Sequence, residues 1–139
     1  MSVLGELQPN KVFKYFEEIC SIPHGSRNLQ QISDYLVDFA KAHELKYRQD
    51  EDLNVIIWKD GSKGYEASEP VILQGHMDMV CEKRPDVDHD FTKDPLNISV
   101  KDGYVTANGT TLGGDDGIAV AYGLALLEVK TLHILRWRF

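Results

Sequence analysis

The sequence predicts an α/β fold in which helices flank a mixed β-sheet. Amphipathic helical patterns alternate with strand-like segments along the chain, and residues 71–73 form an unbroken Val-Ile-Leu run. Such alternation is typical of layered folds in which helices cover a sheet. The chain has 139 residues, of which 42% are hydrophobic, so it is long enough to bury the core of one domain.

Two amphipathic helices are predicted in the first third of the chain. The first runs from about Pro9 to Cys20, where a proline suits the first turn. Pro23 and Gly25 interrupt the helical pattern, and the second helix runs from about Leu29 to His43. Apolar residues recur at helical spacing in both, so we expect each helix to cover one face of the sheet.

Three strands are predicted next. Lys46 to Arg48 and Val55 to Lys59 are joined by an acidic turn, and residues 60–64 are typical of a turn that links strands in a hairpin. The apolar run from Val71 to Gln74 predicts a central strand that is covered on both faces.

A hairpin and a third helix complete the predicted elements. Leu96 to Val100 and Tyr104 to Ala107 flank Lys101-Asp102-Gly103, and an Asp-Gly pair between apolar segments is a strong hairpin signal. A helix from Gly117 to about Glu128 follows, with small residues that would let a neighbouring element approach closely.

Composition argues against several classes of partner. The net charge is −7, with 22 acidic and 15 basic residues, which disfavours nucleic acid or an anionic membrane as the main partner. The two cysteines, Cys20 and Cys81, are too few for a disulfide framework. Residues 1–9 carry no apolar run typical of a signal sequence, and no stretch has membrane-spanning length. We therefore expect a cytoplasmic protein.

The first candidate site residues end the central strand. In the run PVILQGHMDMV (residues 70–80), His76 and Asp78 are two positions apart, so extended geometry would place both on one face. A metal-binding imidazole commonly donates its other N–H to a carboxylate. Alternatively, both are ordinary polar residues where a strand meets a loop, because short motifs match by chance often.

The second candidate site residues precede the third helix. In TLGGDDGIAVA (residues 111–121), Asp115 and Asp116 lie on a glycine turn, where negative charge suits both a helix dipole and a divalent cation. Simple N-capping of the helix is the alternative. The other histidines carry no such pattern: we expect His24, His43 and His89 to be ordinary loop or helix-end residues.

Together these motifs resemble a known family. The segments SIPHGS (residues 21–26), GHMDMV (residues 75–80) and TLGGDDGIAVA are similar to the amino-terminal part of the two-zinc exopeptidases and deacylases, and within them to the aminoacyl-histidine dipeptidases. The separation of 39 residues between His76 and Asp115 fits that family. The resemblance extends over residues 1–128 and implies the amino-terminal part of a zinc-exopeptidase-like catalytic domain.

The resemblance implies a metal-dependent hydrolysis of Xaa-His dipeptides. His76 would bind one zinc ion, Asp115 would bridge two zinc ions, and Asp78 would orient His76. Asp116 would help to aim Asp115. A bridging water activated by the metals would attack the scissile carbonyl. Manganese or cobalt would suit the same ligands, and a homodimer of the full-length protein is left open.

Residues 129–139 depart from the family. Family members continue into another core strand and a Glu-Glu pair that supplies the general base and a metal ligand, whereas the last carboxylate side chain here is Glu128. We expect a truncated or frame-shifted end that leaves the sheet with an open apolar edge near Trp137 and Phe139. His133 lies in this segment and is not expected to be a ligand.

Two classes of function follow. The first is a metallo-dipeptidase of which this chain is the amino-terminal portion, with a related deacylase or tripeptidase as its closest rival. The second is a non-catalytic remnant that binds metal weakly. The missing Glu-Glu pair predicts that the 139-residue chain is inactive alone.

Overall fold

The computed structural model describes residues 2–129 and the backbone of residues 137–138. Three helices and six strands occur in these residues. In chain order they are α1 (Asn10–Cys20), α2 (Gln30–Ala42), β1 (Lys46–Gln49), β2 (Val55–Lys59), β3 (Val71–Ile72), β4 (Ile98–Lys101), β5 (Tyr104–Ala107), α3 (Gly114–Glu128) and β6 (Trp137–Arg138). The predicted mixed α/β class is confirmed.

Helix α1 packs against α3 to form the centre of the core. Its apolar face is buried as the spacing predicts, and Phe16 and Ile19 are 3% and 1% exposed. Leu124 of α3 is completely buried in the same cluster. The helix begins one residue later than predicted, after Pro9, whose missing N–H costs no helical hydrogen bond there.

Helix α2 is joined to the β1–β2 turn through a buried serine. Ser33 is fully buried, and its hydroxyl donates to Leu53 O at 2.7 Å while accepting from Gln49 Nε2 at 2.7 Å. Asp50 shapes the turn by accepting from the backbone N–H groups of Asp52 and Asn54. The two predicted strands pair antiparallel as a hairpin across this turn.

The larger sheet has the strand order β1-β2-β6-β3. Strand β6 pairs antiparallel with β2 and parallel with β3. The prediction that residues 60–64 link two strands of a hairpin is therefore wrong, because β6 separates β2 from β3. The expected open edge is also wrong at residues 137–138, which lie between two strands. His133 and Phe139 fall outside the described part of the chain.

Strand β3 is shorter and more exposed than the sequence predicts. It contains only Val71 and Ile72, and Ile72 is 68% exposed. The prediction of a strand covered on both faces is wrong, because the face that carries Ile72 meets solvent. An apolar run shows that a strand is favourable, but the neighbours that would cover it are set by tertiary structure.

The smaller sheet is the predicted β4–β5 hairpin. Asp102 and Gly103 have φ values of 53° and 81°, as the two central residues of a type I′ turn require. No helix within the described residues has the length and apolar content needed to cross a membrane.

Helix α3 carries a break in its first turn. Asp115 and Asp116 have non-helical dihedral angles, and the peptide bond between them is cis. Regular helix follows from Gly117, as predicted. At the other end, the Lys59 ammonium donates to Leu127 O at 2.6 Å and also contacts Val129 O, so a cation satisfies carbonyl groups at the helix C-terminus.

Candidate metal centre

Two segments that are distant in sequence meet at one site. The chain that leaves β3 and the turn that begins α3 bring His76 Nε2 within 3.1 Å of Asp115 Oδ1, across a separation of 39 residues. The predicted convergence of these two residues is confirmed. The Asp115 side chain is 96% exposed, so a cation from solvent can reach its oxygen atoms.

Asp78 lies on the other side of the imidazole. His76 Nδ1 is 3.1 Å from Asp78 Oδ1 and 3.1 Å from the Asp78 carbonyl oxygen. Both oxygens only accept, so Nδ1 carries the proton and Nε2 faces Asp115. The ring is thus held between two carboxylates, with the nitrogen that can bind a metal directed at Asp115.

The two carboxylates change the protonation of His76. Partial burial by itself lowers the pKa of His76, but hydrogen bonds to Asp115 and Asp78 outweigh it and raise the pKa above its ordinary value. A proton shared by Nε2 and Asp115 would occupy the place that a cation takes between the same atoms. A cation held between these two atoms would therefore have to displace that proton.

Ser26 supports Asp78 from the loop between α1 and α2. Its hydroxyl donates to Asp78 Oδ2 at 2.6 Å. This hydrogen bond is the largest cause of the lowered pKa of Asp78; burial opposes it, and the neighbouring His76 adds to it. Asp78 is consequently kept ionised, which suits an acceptor for the Nδ1 proton.

Asp116 is turned away from the imidazole. Its Oδ2 accepts from the backbone N–H of His76 at 3.4 Å, and an added Cβ at Gly75 would lie 3.0 Å from that oxygen. Neither aspartate side chain caps α3: the N-cap residue is Gly113, and no side-chain hydrogen bond forms there. The N-capping alternative is therefore not observed.

The geometry can be compared with known proteins. No protein-family model matches the chain. Its sequence is 43% identical over 127 residues to the cytosol non-specific dipeptidase of Escherichia coli (strain K12), over 91% of this chain and 26% of the relative. Its structure matches that of an aminoacylhistidine dipeptidase from Vibrio alginolyticus with a TM-score of 0.94 and 39% identity, over 97% of this chain and 28% of the other.

The chain matches the amino-terminal portion of these dipeptidases. It spans little more than a quarter of the length of either one. A tripeptidase from Staphylococcus aureus and an aminopeptidase from Bacillus cereus have TM-scores of 0.74 and 0.72 at 23% and 18% identity, so they share the fold.

Two other histidines, His43 and His89, contact aromatic rings rather than the His76 and Asp115 side chains. His43 stacks on Phe39 at the end of α2, with ring centroids 4.1 Å apart. His89 packs edge-on against Phe91 in the loop before β4, as expected for a loop residue. In residues 2–129, no group of three or more His, Cys, Asp or Glu side chains is arranged to hold a metal ion.

The sequence alone did not predict the structural importance of two residues, His24 and Ser26. His24, expected to be an ordinary loop residue, is 3% exposed; its Nδ1 donates to Ile22 O at 2.6 Å, and burial lowers its pKa. Ser26 was not singled out as a site residue. Both lie in the SIPHGS segment, whose similarity to the dipeptidase family was the available signal.

An apolar cavity of about 360 Å³ lies beside the site. It is bounded by β2, by residues 72–75 and by Leu36, Met77 and Val120. Its lining includes Gly75 and Met77, the residues on either side of His76. The strand exit that carries His76 therefore borders an apolar hollow on one side and the exposed Asp115 carboxylate on the other.

Proposed function

We propose that this chain supplies part of the metal centre of a cytosolic metallo-dipeptidase that hydrolyses Xaa-His dipeptides. The observation that carries the proposal is the 3.1 Å approach of His76 Nε2 to Asp115 Oδ1. The two relatives above 35% identity are a cytosol non-specific dipeptidase and an aminoacylhistidine dipeptidase, which supports dipeptides as the substrate class. His76 and Asp115 are the metal ligands in this proposal, and Asp78 positions His76.

The donor atoms fit zinc. Two ligands bound to one tetrahedral zinc at about 2.0–2.1 Å lie roughly 3.3 Å apart, close to the 3.1 Å between His76 Nε2 and Asp115 Oδ1. Manganese and cobalt accept the same imidazole and carboxylate donors. When bound, such metals supply a Lewis acid that polarises the peptide carbonyl and lowers the pKa of water.

Each residue of the group has a distinct task in this proposal. Asp78 accepts the Nδ1 proton of His76 and so leaves the Nε2 lone pair directed at Asp115. The exposed carboxylate of Asp115 would hold the metal ions together with His76. Asp116 accepts from the His76 backbone N–H and holds the strand exit against the α3 turn.

The 139-residue chain alone is proposed to be a weak metal binder without turnover. Catalytic zinc sites use three protein ligands per metal, whereas residues 2–129 bring together no group of three such side chains. A general base must also lie within hydrogen-bond reach of the water. The lack of a three-ligand group in residues 2–129 also supports the second candidate function, a non-catalytic remnant, for the 139-residue chain.

Zinc binding tests the ligand assignment. Zinc is titrated against a competing chromophoric chelator in the presence of the parent chain, His76→Gln and Asp115→Asn. We expect each substitution to lower the zinc affinity by at least the roughly 10–100-fold that follows the loss of a ligand's supporting partner. His43→Gln and Asp86→Asn are matched controls outside the site. Unchanged affinity in both site variants would refute the assignment.

A histidine-release assay tests the proposed incompleteness. The parent chain is incubated with zinc and glycyl-histidine or β-alanyl-histidine, and free histidine is measured. We expect no release above the rate without protein. Turnover in the ordinary enzyme range of about 1–1000 per second would show that the chain holds a complete active site.

A further inference from the structure

We propose that Ser26 is a positioning residue that locks the Asp78 carboxylate and, through it, the His76 ring. This inference rests on the proposed function, because it concerns how the metal-binding nitrogen is aimed. Ser26 lies in a different loop from either proposed ligand, 52 residues before Asp78.

Both oxygens of Asp78 have separate partners. Oδ2 accepts from the Ser26 hydroxyl at 2.6 Å, while Oδ1 lies 3.1 Å from His76 Nδ1. A carboxylate with one partner can rotate about its terminal bond and still keep that partner. With partners on both oxygens, rotation breaks at least one hydrogen bond, so the plane of the carboxylate is fixed.

The backbone fixes Ser26 in turn. The N–H of Met79 donates to His24 O at 3.0 Å, and the N–H of Ser26 donates to Met79 O at 3.0 Å. These bonds form a parallel bridge between Gly25 and Met79. Met79 and His24 are each 3% exposed, so the bridge is anchored by buried side chains on both strands.

Gly25 allows the two segments to approach this closely. A Cβ added at Gly25 would lie 2.3 Å from the Sγ atom of Cys81, a distance at which the thiol would have to move. A larger residue before Ser26 would therefore have to displace the Cys81 side chain. The Gly-Ser pair combines a close backbone approach with a hydroxyl aimed at Asp78.

A purely structural role would have a different signature. If Ser26 only stabilised the loop, its removal would lower the free energy of unfolding while the folded molecules kept their His76 geometry. Ser21 is the matched control, because its hydroxyl donates to Glu18 O at the same distance of 2.6 Å and has no contact with Asp78.

The experiment compares Ser26→Ala, Ser26→Thr and Ser21→Ala in the 139-residue chain. Zinc affinity is measured by chelator competition, and the His76 ring nitrogens are followed by NMR without metal. We expect Ser26→Ala to lower the zinc affinity about tenfold, the lower end of the range for loss of a supporting partner. We also expect it to shift the NMR signal of His76 Nδ1. Ser26→Thr, which keeps a hydroxyl, should stay within about threefold of the parent.

Several outcomes would overturn the proposal. Parent-like zinc affinity and His76 signals in Ser26→Ala would do so, as would equal changes in Ser21→Ala. If Ser26→Ala is poorly folded, Ser26→Cys keeps the shape with a much weaker donor, and parent-like behaviour of that variant overturns the proposal. Failure of the proposed function gives a different result from failure of this proposal. If the proposed function is wrong, His76→Gln binds zinc as tightly as the parent, and the metal-free NMR comparison still decides the role of Ser26.

Discussion

Two adjacent glycines at the start of α3 should respond in opposite directions to one added methyl group. Gly113 has φ 71° and ψ 26°, a left-handed conformation that costs an L-residue about 1–2 kcal/mol. An alanine Cβ there would also lie 3.1 Å from Met79 Cβ and 3.2 Å from His24 Nε2. Both neighbours are buried, so overpacking adds about 1–3 kcal/mol, and Gly113→Ala should cost roughly 2–5 kcal/mol in total.

Gly114 has neither constraint. Within the described residues, no non-adjacent heavy atom outside its own helix lies within 4 Å of an added Cβ, and its φ is outside the left-handed region. Gly114→Ala should therefore leave the free energy of unfolding unchanged or raise it by about 0.4–1 kcal/mol through the unfolded chain.

Urea unfolding followed by circular dichroism measures both variants against the parent. The midpoint of Gly113→Ala should fall clearly, with an unchanged slope, while that of Gly114→Ala stays or rises. A Gly113→Ala variant within about 0.5 kcal/mol of the parent, or equal losses in both variants, would refute the argument from backbone conformation and space.

Three further predictions concern the core, the amino terminus and the site. Leu124→Ala, at a fully buried position, should cost about 2–5 kcal/mol, whereas Tyr122→Ala, at a 48% exposed position, should cost under about 1 kcal/mol by urea unfolding. Burial opposes but does not cancel the lowering of the Glu17 pKa by hydrogen bonds from Ser2, Val3 and Leu4. A carboxyl group whose pKa is lower in the folded state stabilises the fold at pH values above its unfolded pKa, and this stabilisation is lost as the pH falls through its folded pKa. Glu17→Gln should therefore reduce the loss of unfolding free energy below about pH 4.3. A pH profile parallel to that of the parent would contradict this. Asp78→Ala should lower the zinc affinity measured by chelator competition about 10–100-fold and change the free energy of unfolding little. A zinc affinity equal to that of the parent would refute the role of Asp78 in positioning His76.

The local elements were predictable from sequence because their signals are local. Apolar periodicity located α1 and α2 to within a residue or two, and the Asp102-Gly103 pair identified the β4–β5 hairpin. The approach of His76 to Asp115 was predicted only because the resemblance supplied a reason for two distant motifs to meet.

Long-range relations were not predictable in the same way. Nothing in the Val-Ile-Leu run states that β6 separates β3 from β2 or that Ile72 faces solvent, because both depend on which segments pair. His24 is buried although it lies in a loop, since the carbonyl of Ile22 satisfies its Nδ1 locally. The sequence predicted its loop position, but neither its burial nor this local hydrogen bond.

Gly117 connects the geometry of the candidate metal centre to the apolar interior. An added Cβ at this position would lie 3.3 Å from the Phe16 ring and 3.8 Å from Ile19, so the first regular turn of α3 rests directly on α1. Asp115 is only two residues earlier. The distance at which α3 packs on the Phe16 ring therefore affects where the Asp115 carboxylate lies at the surface. Substitutions confined to the apolar face of α1 should accordingly change the distance between the Asp115 carboxylate and His76, although no polar residue has been exchanged.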